Sequence, residues 1–177
     1  MEPILWAAVF GNDAPVEVEI GPGRGDVLLY NAAARPHHNF LGIEPLGADA
    51  IAAAAVARGL RNLRVVRADA RCVIANLVPP VSITAYHVYF PDPWPKNRHR
   101  PRRLFTDGFT ADLTRTLRSD GVVHVATDVP ALFAGICAAL RGAGLLLDSS
   151  AEPPPRPVSK FERKYARAGT YYARFTR

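Results

Sequence analysis

Short runs of β-branched and aromatic residues alternate with longer stretches of helical character along this chain. Val16–Ile20 reads as a strand closed by Gly21, and residues 26–34 as a helix stopped by Pro36. Asn39–Ile43 is a second strand ending at Glu44, and the alanine-rich residues 48–58 form a helix with Gly59 as its stop. Leu63–Val66 is a third strand ending near Asp69, followed by a short helix over 71–77 before Pro79-Pro80. Residues 83–90 give a fourth strand, 104–118 a helix, and Asp120-Gly121 a turn. Residues 122–126 are a fifth strand and 131–141 a fifth helix. The last two strands are read over 145–148 and 171–175, with a stiff proline-rich loop at 151–158 between them.

Strand and helix in alternation predict an α/β fold. The expected sheet is mostly parallel and seven-stranded, with helices on both faces. No long helix separates the last two strands, so they are expected to pair antiparallel at one edge. A chain of 177 residues is long enough for one domain with a real core, taken here as residues 1–177.

Few other classes survive a reading of the composition. The longest apolar run, residues 51–57, is too short to span a bilayer, and the start carries Glu2 rather than the positive region of a signal peptide. Cys72 and Cys137 lack a Cys-x-x-Cys spacing, so they are expected to be reduced, packed thiols in a cytoplasmic protein. No metal-ligand spacing emerges. The net charge of +6 is unevenly spread. Lys96, Arg98, Arg100, Arg102 and Arg103 form one acid-free cluster, and the residues from Arg156 onward add seven basic side chains against the single acid Glu162. Such clustering suits a phosphate backbone, and neither segment shows an amphipathic membrane face.

The stretch "VEVEIGPGRG" places Gly21, Gly23 and Gly25 directly after the first strand. Glycines there let a ligand approach the backbone, but the G-x-G-x-x-G spacing of dinucleotide folds is missing. Three acids sharpen the signal: Glu19 within strand one, Glu44 after strand two, and Asp69, followed by Ala70, after strand three. Ligands of open parallel sheets bind at the carboxyl ends of the strands, where an acid after strand two can accept ribose hydroxyls. An acid after strand three can hold an adenine amino group, and Glu19 suits a positively charged ligand. Any one of these acids reads equally well as a helix cap. Taken together with the glycine loop, the constellation resembles the Rossmann-like class I methyltransferases, whose cofactor S-adenosyl-L-methionine carries a sulfonium, an ammonium and an adenosine.

Strand four runs into "YFPDPWPKNRHRPRR". Asp92 sits between Pro91 and Pro93, which stiffen the backbone, and Trp94 follows to stack on a base or pack the corner. This stretch resembles the signature of the bacterial single-chain tRNA (guanine-N7)-methyltransferases. "VSKFERKYARAGTYYARF" is similar to that family's C-terminal segment, with Ser159 where threonine is usual, and "VATDVP" brings Asp128 into register. The likeness covers nearly the whole chain from Asn12 onward, although family members usually have a longer basic N-terminal arm. It implies methyl transfer from S-adenosyl-L-methionine to N7 of a variable-loop guanine in tRNA. It also implies Glu19, Gly21, Gly23, Gly25, Glu44, Asp69, Ala70 and Asp92 at the cofactor, with Asp92 also close to the reacting base. Lys96, Asp128, Ser159, Lys160, Phe161 and Glu162 would contact the guanine or its nucleotide, and Arg98, Arg102 and Arg103 would hold phosphates. Relatives occur as monomers and as homodimers, so the oligomeric state stays open.

Guanine N7 has a free lone pair, so no histidine need act as a base. His37-His38 is expected to face solvent, while His87 and His124 lie within strands and should be packed. Three other readings remain: a methyltransferase acting on nucleobase amino groups, a Rossmann oxidoreductase, and an RNA-binding module that has lost its cofactor. The Ser-Lys-Phe-Glu segment argues against the first, the glycine spacing against the second, and the three acids against the third.

Overall fold

A computed structural model describes residues 2–94, 98, 103–165 and 169–177, with the side chains of residues 164 and 165 left aside. Three α-helices and three strands alternate first: α1 (Trp6–Phe10), β1 (Val16–Ile20), α2 (Asp26–Ala34), β2 (Asn39–Ile43), α3 (Ala48–Ala57) and β3 (Leu63–Val66), α1 being a short lead-in helix. Then come α4 (Ala70–Asn76), β4 (Ile83–Tyr89), α5 (Asp107–Thr116), β5 (Leu117–Thr127), α6 (Pro130–Gly142), β6 (Leu146–Asp148), α7 (Lys160–Tyr165) and β7 (Tyr171–Thr176). The strands form one sheet in the order β3-β2-β1-β4-β5-β7-β6. Pairing is parallel from β3 through β5, and β7 runs antiparallel to both β5 and β6. The antiparallel pair at one edge is thus present, with the reversed strand β7 slotted inside β6.

The pattern of β1 decides which face does what. Its alternation sends Val16, Val18 and Ile20 into a large apolar cluster with Ile74, Leu113 and Leu140, contributed by α4, α5 and α6. The opposite face packs Phe40 and Leu63 of β2 and β3 under Leu28 of α2 and Ile51 of α3. Glu17 and Glu19 point to that second face, yet both are buried, because β1 is central and covered on both sides. An alternating strand usually has one wet face; here the polar face is enclosed instead.

Several boundaries differ from the pattern-based reading. Residues 118–121 do not turn the chain back but bulge out of a longer β5, so that Ile83 pairs with Leu117 and Ala85 with Val122. The helix expected from residue 104 begins at Asp107, where the Thr106 side chain accepts from the Phe109 N–H. Cys137 is half-buried, but Cys72 is exposed on α4 rather than packed. Phe10 joins the core. Among the described residues, no helix is long and apolar enough to cross a membrane.

Candidate functional site

The carboxyl ends of β1 to β4 open on one crevice, and the expected residues converge there. Gly21, Gly23 and Gly25 all take positive φ, which folds the loop after β1 tightly. Gly25 is further constrained: a Cβ there would fall 2.8 Å from Ile51 Cγ2, so it keeps α2 close to α3. Glu44, at the end of β2, ties the loop down. Its Oε2 accepts the Gly23 N–H at 2.9 Å and its Oε1 accepts the Leu46 N–H at 2.9 Å. Asp69 caps α4 by accepting the Arg71 N–H and also pairs with the Arg71 guanidinium at 2.6 Å. The hydrogen bonds from Arg71 hold its carboxyl below the usual aspartate range, against partial burial. Helix capping and ligand binding are therefore not exclusive: Asp69, Ala70 and Glu44 all line a cavity of about 450 Å³ that also includes Gly21 and Gly23.

A second cavity of about 450 Å³ shares Gly21, Gly23, Tyr89, Phe90 and Asp92 with the first and adds Glu19. Each is of the size that takes a small cofactor or a nucleobase. Asp92 stands at their junction and also lines a third cavity of about 740 Å³ toward α6. Phe90 and Trp94 adopt left-handed backbone at φ 52 and 38, so the chain bends sharply on both sides of the proline-flanked acid. The result presents an exposed carboxylate at the crevice mouth. Arg103 reaches back to the Trp94 carbonyl and lines the third cavity, and Arg98 is exposed. Lys96 and Arg102 lie outside the described residues.

The C-terminal segment forms the far wall. Ser159 and Glu162 make a reciprocal cap on α7: the Ser159 Oγ accepts the Glu162 N–H at 3.2 Å and Glu162 Oε2 accepts the Ser159 N–H at 2.8 Å. The Lys160 N–H donates to Asp26 at 3.1 Å, which fastens the segment to the start of α2, and Phe161 packs on Phe90 with ring centres 5.5 Å apart. Asp128, after β5, is half-buried and lines none of these three cavities. Two residues of the wall escaped the sequence reading. Tyr89 lines both smaller cavities, and Arg156 grips Glu162. Arg156 looked like one more charge in a basic tail. Much of that tail is committed within the fold, since Arg174 pairs with Asp148 and Arg177 donates to the Leu117 carbonyl.

Glu19 gives the site its electrostatic character. Its Oε2 is buried and accepts no hydrogen bond among the described residues. Burial pushes its carboxyl up to about 8, against the pull of Arg156 and with a further push from Asp26. A buried carboxyl with a spare oxygen in a ligand-sized cavity fits a cationic group, such as the ammonium of S-adenosyl-L-methionine. In the ligand-free protein the folded carboxyl binds its proton more tightly than the unfolded one. Its contribution to stability is therefore full below the ordinary glutamate value and declines as pH rises toward 8. Wild type should lose up to about 1.4 kcal/mol per pH unit from this group. Urea unfolding at a series of pH values checks it: Glu19→Gln should remove that slope, and an unchanged slope would refute the raised value.

Beside Glu19, the same face carries a buried polar cluster. Glu17 accepts from Arg35 Nη1 at 2.6 Å and pairs with His38 Nδ1 and His87 Nε2, each at 2.7 Å. His87 Nδ1 meets the Tyr89 hydroxyl at 2.9 Å, and its ring stacks on His124, 5.0 Å away, which in turn meets the Tyr172 hydroxyl at 2.7 Å. His87 and His124 are packed as expected, whereas His38 turns inward to Glu17 instead of facing solvent. Burial, then the neighbouring His87, push His124 down to about 3, so it is neutral in the fold. Among the described residues, no group of three or more His, Cys, Asp or Glu side chains is placed to hold a metal ion.

Known proteins resemble this chain in sequence and in fold. A family described as putative methyltransferase matches residues 13–174. A tRNA (guanine-N(7)-)-methyltransferase of Cupriavidus necator is 38% identical over 177 residues, covering 95% of this chain and 67% of its own length. Another, from Klebsiella pneumoniae, is 39% identical over 175 residues, covering 94% of this chain and 73% of its own length. Among solved structures, the 16S rRNA (adenine(1408)-N(1))-methyltransferase of Catenulisporales acidiphilia superposes with a TM-score of 0.65. It is 18% identical, with 96% of this chain and 88% of that one covered, a likeness of fold.

Proposed function

The chain belongs to the tRNA (guanine-N(7)-)-methyltransferase family, and from that membership we propose that it methylates N7 of a guanine in tRNA, with S-adenosyl-L-methionine as donor. The observation that carries this reading is the position of Asp92, at the junction of a cavity containing Glu19 and the glycine loop with a cavity containing Glu44 and Asp69. The cofactor supplies a methyl carbon already activated by a sulfonium. Glu19 and the backbone of Gly21 and Gly23 hold its charged amino-acid end, while Glu44, Asp69 and Ala70 hold the adenosine. Glu44 keeps room for a ribose hydroxyl, since a carboxylate has about four lone-pair sites.

Guanine N7 attacks with its own lone pair, so no side chain has to remove a proton. The chain's task is alignment, which alone can supply a large share of the rate. The methylated purine becomes cationic, and Asp92 stabilises that charge as it develops. Asp128 and Glu162 accept from the guanine N1–H and amino group, which adenine cannot match. Lys96 meets the nucleotide, with Ser159, Lys160 and Phe161 beside it. Arg98, Arg102 and Arg103 hold phosphates and set register without reading sequence. A tRNA acceptor suits a cytoplasmic enzyme.

Labelled methyl transfer to unmodified tRNA, followed by nucleoside mass spectrometry, tests the reading. The expected product is 7-methylguanosine. A different methylated nucleoside, or none from folded protein beside an active relative, would overturn it.

A further inference from the structure

The strap between β6 and α7 is rich in proline, and Arg156 is the point where it enters the crevice. Its side chain retains only 11% of its exposure. The guanidinium forks onto Glu162, with Nη1 to Oε2 at 2.7 Å and Nη2 to Oε1 at 2.8 Å. It also lies over the Tyr89 ring, 4.7 Å from its centre, and 5.9 Å from that of Phe90. Tyr89 is itself fixed from below, because its hydroxyl meets His87 Nδ1 and the other ring nitrogen of His87 meets Glu17. Glu162 closes the cap on α7. A continuous set of contacts thus runs from the buried carboxylate of β1 to the first turn of α7.

We propose that Arg156 is a positioning residue for the acceptor base: resting on Tyr89, it holds the Glu162 carboxylate and the Ser159–Glu162 turn over the crevice. The proposal rests on the reading that this turn meets the guanine. Two features place the action on the acceptor side. The fork to Glu162 uses both terminal nitrogens of Arg156, while the buried Glu19 oxygen in the same cavity receives no hydrogen bond among the described residues. A fixed positive charge beside Glu19 also opposes a cationic cofactor rather than recruiting it. Glu162 gains in the other direction. Burial raises its carboxyl, but the hydrogen bonds from Arg156 and Ser159 together with the Arg156 charge outweigh this and keep it below the ordinary range, hence ionised and accepting. Three of its roughly four lone-pair sites are taken by Arg156 and Ser159, which leaves one acceptor site on a residue that lines the cavity.

Kinetics, cofactor binding and amide hydrogen exchange on Arg156→Ala, Arg156→Lys, Glu162→Gln and the Arg156→Ala/Glu162→Gln pair test this. Arg156→Ala should raise KM for tRNA by about tenfold or more, as expected for loss of a charge-assisted bidentate contact. Its Kd for S-adenosyl-L-methionine, by calorimetry, should stay equal or become tighter. Amides of residues 159–163 should exchange faster while those of β1 and β4 do not change. Arg156→Lys, with the charge but no fork, should fall between wild type and Arg156→Ala. The double variant leaves no carboxylate at position 162 stripped of its cation, so it remains folded, and it should be no worse than the worse single variant. Unchanged KM and unchanged exchange in Arg156→Ala would overturn the proposal, as would a parallel loss of cofactor binding. Should wild type fail to methylate tRNA, the functional reading falls, and the exchange data still decide whether Arg156 seats the turn.

Discussion

Asp92→Ala is expected to lower kcat/KM for tRNA methylation by about 100- to 1,000-fold, the usual loss when a preorganised electrostatic partner of the transition state is removed. The fold should survive. Asp92 is exposed, and its turn is shaped by Pro91, Pro93 and the left-handed backbone of Phe90 and Trp94, none of which needs the carboxylate. Melting temperature should therefore stay close to wild type, since surface substitutions away from special features usually stay within about 0.5 kcal/mol. Asp92→Asn separates charge from shape: a loss nearly as large would assign the effect to the negative charge. Steady-state kinetics beside thermal melts give the answer, and near-normal turnover in Asp92→Ala would sink the role of the acidic turn.

Glu17→Ala should act in the opposite way, through stability. Burial pushes the Glu17 carboxyl up, but the hydrogen bond and charge of His87, with Arg35 and His38 behind them, bring it below its ordinary value. The contribution is thus present above the ordinary glutamate range and is lost as pH falls through the lowered value. Removing one partner of a buried ionic cluster costs about 3–5 kcal/mol. The lower end applies here, because Arg35 is 39% exposed and can turn to water, whereas His87, 3% exposed, cannot. Against a typical domain stability of about 5–15 kcal/mol, that is a large fraction. Urea unfolding near neutral pH checks it; a midpoint equal to wild type would show the cluster to be dispensable. Glu17→Gln, which keeps the shape and an acceptor, should cost less.

The contrast between these two acids shows what the sequence could carry. Asp92 was legible because its neighbours, two prolines and a tryptophan, are local in the chain. Strands β1 to β4 were legible for a similar reason, being short β-rich runs bounded by glycine, proline or an acid. Glu17 was not. Its partners come from the C-cap of α2, the loop after it, and β4, and only the pairing of β1 with both β2 and β4 brings them to one spot. Arg156 failed in the same manner, since its value depends on Tyr89, 67 positions away. α1 and α7, of five and six residues, are too short for a helical period to declare itself. The Ser-x-x-Glu cap of α7 was in plain view but was taken as a substrate motif alone. The bulge at residues 118–121 hid the start of β5 behind an Asp-Gly pair that normally marks a turn.

The slot occupied by β7 also sets an order of assembly. Among the described residues β6 pairs with no strand but β7, so it joins the sheet only when residues 171–176 are seated between it and β5. The strap, Arg156 and α7 all lie between those two strands in sequence and are anchored at both ends only then. On the ribosome, β1 to β5 and their helices emerge first and can bury most of the apolar core without them. A nascent chain therefore forms the crevice at the ends of β1 to β4 before the strap and α7 are anchored beside it.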